Sequence, residues 1–132
     1  MLSVSSYSAE YVAQARARID AHISAFDALP ANSARSAFEP TFFNNMVLVL
    51  DHFFLHRGRS SEGKDGNPLN EARVLCNSMT DNNGVMAADK TIRMKPDQTL
   101  LKYEVGDEIA LSAADFRRLA DGFLAEIESR YP

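Results

Sequence analysis

A chain of 132 residues with 45% hydrophobic and 24% charged side chains has the size and balance of one globular domain, which excludes an intrinsically disordered chain and a membrane-embedded one. Its formal net charge of -4, from 18 acidic against 14 basic residues, has the wrong sign for gripping phosphate backbones, so no nucleic-acid partner is expected. The lone cysteine, Cys76, cannot form an intrachain disulfide and reads as a small buried hydrophobe of a reducing, cytoplasmic protein.

The first residues carry neither the basic segment nor the apolar run of a secretory signal, and residues 1–7 read as a flexible lead-in to one domain over 1–132. Val12, Ala15, Ile19, Ile23, Phe26 and Leu29 then recur at steps of three and four, the stripe of an amphipathic helix. Ser8 is its N-cap and Pro30 ends it.

A second helix is expected from Glu39, with Pro40 in the first turn, to Arg57. Its Phe, Leu, Val and Met residues clothe most of the circumference, the pattern of a helix buried on several sides. The apolar run 46–50 falls far short of the roughly 20 residues that span a bilayer. Asn45, His52, His56 and Arg59 fall within an arc of roughly 60° at helical spacing and form its polar stripe.

Residues 58–66 carry no apolar side chain and read as a surface loop. Asn67 followed by Pro68 marks the start of a shorter helix, which Asn82, Asn83 and Gly84 end. Beyond Ala88 the period falls to two. Segments 91–94 and 99–105, joined by a turn at Pro96, and 108–111 predict a three-stranded antiparallel meander. Ser112, with Asp115 completing a capping box, opens a C-terminal helix whose stripe is Phe116, Leu119, Ala120, Phe123, Ile127 and Tyr131. The expected fold is therefore α+β: two long helices and a shorter one, the meander, and a helix packing back.

Chemistry concentrates around the end of the second helix. His52 and His56 have the i, i+4 spacing of many metal sites, but the HExxH pattern is absent because position 53 is Phe. His22, Asp51 or Glu71 would have to complete a ligand shell, so no metal or other cofactor is expected. The basic cluster His56, Arg57, Arg59 and Lys64, beside the Asn67 helix start, supplies donors for a phosphate or carboxylate. The glycines match neither GxxxxGK[ST] nor GxGxxG, and Asp65, Asn67 and Glu71 match an EF-hand loop poorly because Pro68 and Leu69 interrupt it. Ser60, Ser61 and Cys76 stand in no nucleophile elbow.

These features lead to one expectation and one rival. The expectation is a noncatalytic binding or assembly module with a polar, anion-binding pocket at His52, His56, Arg59, Lys64 and Asn67, self-associating through the sheet or the Phe-rich helix. The rival is a small enzyme or metal protein that uses the histidine pair.

Overall fold

The computed structural model describes residues 3–132, and five helices account for its regular structure: α1 (Ala9–Asp27), α2 (Ser33–Phe53), α3 (Arg59–Glu62), α4 (Pro68–Asp81) and α5 (Ala113–Arg130). Helices α4 and α5 pack together, α2 lies against both, and α1 closes on α5. Between them lies one core that includes Ile19, Phe43, Leu50, Phe54, Leu75, Phe116, Phe123 and Tyr131.

Local cap chemistry sets three of the helix starts where the sequence places them. The Ser8 side chain accepts the Tyr11 N–H, Asn67 accepts those of Leu69 and Asn70, and Ser112 and Asp115 satisfy each other's backbone amides. The second helix departs from expectation at both ends. It starts six residues early because Asn32 caps it through the Arg35 N–H, which leaves Pro40 inside rather than in the first turn. It stops at Phe53, where the N–H groups of Phe54 and Leu55 turn back to the carbonyls of Asp51 and His52. The polar stretch read as loop also contains the single turn of α3.

The α+β expectation is overturned: the described residues contain five helices and no sheet, and the meander does not form. Two isolated bridges are present, Val4 with Arg57 and Val85 with Glu108. The turn at Pro96 exists, with the Gln98 N–H donating to the Lys95 carbonyl, but no strands flank it. The reason lies in where the amides go. The N–H groups of Leu100 and Leu101 both donate to the Glu71 carboxylate, at 2.9 Å each. Lys102 then takes a positive φ of 61°, which breaks any extended run. Farther on, the Asn44 side chain donates to the Ile109 carbonyl and accepts the Leu111 N–H, standing where a neighbouring strand would be. The period-two pattern thus belongs to an irregular chain laid across the helices, and Val105, at the end of the expected second strand, is 67% exposed.

Of the lead-in, residues 1–2 lie outside the described part. Val4 exchanges backbone hydrogen bonds with the turn after α2, its N–H donating to the His56 carbonyl and its carbonyl accepting from Gly58.

Candidate functional site

The turn that follows α2 carries Arg57 inward, to 3% exposure. Its guanidinium donates to Glu62 Oε1 at 2.9 Å and to the Phe54 carbonyl, lies 2.8 Å from Asp51 Oδ1, and stacks over the Phe123 ring. The Asp51 contact is Coulombic, since no N–H is aimed along a hydrogen bond to that buried oxygen. Glu62, the last residue of α3, is wholly buried and accepts from Arg73 at both oxygens and from the Asn70 amide at Oε2. Burial pushes this carboxyl's pKa up, but hydrogen bonding to Arg73, the charges of Arg57 and Arg73, and the Asn70 hydrogen bond outweigh it and hold the group below its ordinary value.

Two arginines against one glutamate and one aspartate make the cluster neutral, and its polar atoms are largely spent on each other. It joins the end of α2 to α3 and α4, which is the work of an internal staple. Glu71, one residue along α4, is also buried, at 2% exposure. Burial raises its pKa, and the two backbone N–H groups and the charge of Arg118 offset this only in part.

The sequence-predicted site residues fall into separate surroundings. His52, in the last turn of α2, and His56, beyond its end, are exposed and line one shallow groove of about 350 Å³ with Val4, Tyr7, Tyr11 and Phe53. They meet through the turn and not through helical i, i+4 register, because α2 has already ended. Arg59 and Lys64 are exposed on α3 and the loop after it. Asn67 is half-buried beside the staple, its Oδ1 occupied by the first amides of α4 and its Nδ2 donating to the Glu62 carbonyl and Asp65 Oδ1. The helix-start amides that an incoming anion would use at Leu69 and Asn70 already have their acceptor.

His22 sits on α1 with Nδ1 donating to the Arg18 carbonyl. Among the described residues, no three His, Cys, Asp or Glu side chains are grouped to hold a metal ion. The Cys76 thiol is buried at 8% exposure, and burial pushes its pKa up to about 12, so thiolate is scarce near neutrality. Glu62 and Asn70 are the residues that sequence reasoning missed, while Arg57, expected among the anion donors of the basic cluster, is turned inward. Their one signal is that Asn70 and Arg73, at i, i+3, share a face of α4 that looks toward α3.

The outward face of α2 is the second unusual feature. Its exposed residues from the middle onward are Phe38, Thr41, Asn45, Val49 and His52, and the earlier exposed ones are Ser33, Ala34, Ser36 and Ala37, none of them carrying a carboxylate, guanidinium or ammonium group. The charged residues of this helix are turned elsewhere: Glu39 accepts the Ala113 N–H, Asp51 faces Arg57, and Arg35 lies over the Phe26 ring. Exposed positions of α5, by contrast, include Arg118, Asp121 and Glu128. Phe38 is 45% exposed and Leu55, just past the helix, 47%. Leu48, Val49, His52 and Phe53 surround a mostly apolar hollow of about 340 Å³ on the same face.

No helix among the described residues is long and apolar enough to cross a membrane. Comparison with models of protein families, with curated proteins and with solved structures gave no match.

Proposed function

We propose that the protein is a noncatalytic binding and assembly module that works through the outward face of α2 and the turn that follows it. One observation carries this reading. A helix face in contact with water ordinarily carries charged side chains, and this one exposes Phe38, Val49 and Leu55 with no charge between them. The buried ionisable residues support the same reading, because the arginines and carboxylates of the staple are engaged with one another and so serve the fold.

Carbene footprinting tests the reading. The protein is labelled in a concentrated extract of the cells that produce it and, separately, at high dilution. Val49, His52 and Leu55 should be shielded in the extract and labelled at dilution, while Arg118, Asp121 and Glu128 label equally in both. Equal labelling of the α2 face in the two conditions overturns the reading.

A further inference from the structure

The chain has four lysines, Lys64, Lys90, Lys95 and Lys102, and all of them fall in one part of the sequence. With Arg59 and Arg93 they make six exposed cations between residues 59 and 102, none of which forms an ion pair among the described residues. The arginines elsewhere behave differently, since all but Arg18 are ion-paired. From this division we infer that the outer side of α3, the loop after it and the stretch 89–102 form a second docking surface, separate from the α2 face, whose occupant is an acidic segment of another polypeptide.

The fold brings the six cations onto one continuous surface. The Arg93 N–H donates to the Lys64 carbonyl, and Gly66 packs so closely that a side chain there would collide with the Arg93 carbonyl, so the loop after α3 and the later stretch are held in fixed register. The Ile92 and Thr91 N–H groups hold the Asp89 carboxyl below its ordinary range against desolvation, and the charge of Arg59 adds to this, which puts Arg59 within Coulombic reach of the same stretch. At the far end the Lys102 ammonium donates to the Asp97 carbonyl and so lies over the turn that begins at Lys95. Asp89 and Asp97 lie in this stretch, Asp81 borders it, and Asp65 is drawn to 3.6 Å from Arg130, so the surface keeps a positive surplus on a chain whose net charge is -4.

The chemistry of the surface selects its occupant. Residues 55–102 contain no Phe, Tyr or Trp, so nothing is offered on which nucleic-acid bases could stack. The large exposed hydrophobic residues all lie outside 59–102, which leaves nothing to insert into an anionic membrane. Most of the cations are lysines, which act as point charges on flexible stems and pair with single carboxylates without demanding the two-pronged geometry of arginine. Interleaved aspartates repel an unbroken line of phosphates but leave room for a segment whose Asp and Glu residues are spaced by others.

Titration with a synthetic peptide of alternating Glu and Ser, followed by amide NMR at about 0.15 M salt, tests the surface. Shifts should gather at residues 59–66 and 89–95, leave Val49 unmoved and fade as salt is raised. Lys90→Glu/Arg93→Glu, at two exposed positions without ion pairs, should weaken binding about tenfold or more with an unchanged circular dichroism spectrum, whereas Arg18→Glu should leave it as it is. Absence of shifts, or shifts that the double variant does not alter, overturns the surface. An oligonucleotide of equal charge, or vesicles of anionic lipid, held more tightly than the peptide by the same residues overturns the choice of an acidic polypeptide.

Discussion

Arg73 and Glu62 face each other through two parallel hydrogen bonds, Nε to Oε2 at 3.0 Å and Nη2 to Oε1 at 2.6 Å, and with the Asn70 amide on the same carboxylate they tie the single turn of α3 to α4. Glu62 is also the acceptor for Arg57, and removing it leaves a buried guanidinium short of its counter-charge. Glu62→Ala should cost about 3–5 kcal/mol of folding stability. Chemical denaturation would show it, and a loss below about 1 kcal/mol would mean that water or Asp51 replaces the lost partner.

The same carboxylate predicts a pH dependence. Its pKa is held below the ordinary value, so its contribution is present above the unfolded glutamate range and is lost as pH falls through the folded value. The stability gap between the wild type and Glu62→Gln should therefore be wide at neutral pH and narrow in acid. A gap of constant width would contradict the ion-paired state.

Glu71 should behave in the opposite sense. Its pKa is raised, chiefly by burial, so its contribution is greatest below the unfolded glutamate range and declines as pH rises through the folded value. The cost of Glu71→Gln should grow toward acid. At neutral pH, Glu71→Ala strands the Leu100 and Leu101 N–H groups and should cost about 2–6 kcal/mol, at about 1–3 kcal/mol for each part-buried donor left unpaired. Fast hydrogen exchange of these two amides in the variant would accompany the loss, and unchanged protection would show that another acceptor takes them.

Asn67 and Ser112 both cap helices, but Asn67 also donates to the Glu62 carbonyl and to Asp65. Ser112→Ala should cost about 1 kcal/mol and Asn67→Ala more, about 2 kcal/mol, because a second set of bonds goes with the cap. Equal denaturation midpoints would show that the extra bonds at Asn67 are inconsequential.

The starts of α1, α4 and α5 were legible because a cap is local: Ser8, Asn67 and Ser112 act on amides two or three residues away. The start of α2 was obscured because proline is favoured in a first turn and costly in a helix interior, so Pro40 pointed to a start beside it, whereas the Asn32 cap begins the helix earlier. The meander failed for a nonlocal reason. Alternation around Leu101 and Tyr103 suits a strand or an irregular crossing equally, and the deciding acceptor, Glu71, lies 29 residues before Leu100. The staple was hidden for a similar reason, since Arg57 and Glu62 sit in a stretch whose composition is that of a solvated loop until Arg73 and Asn70 close on it. His52 and His56 do share a groove, although the turn after Phe53 brings this about in place of helical spacing.

The most direct measurement is a comparison of amide NMR spectra of the isotope-labelled protein alone and in a concentrated extract of the cells that produce it, both in salt that screens contacts between exposed charges. Resonances that shift or broaden in the extract should be confined to the outward face of α2 and the turn after it, with Thr41, Asn45, Val49 and His52 changing together. Spectra that are the same in extract and in buffer, or changes centred on α3 and the start of α4, would contradict the placement of the working surface on α2.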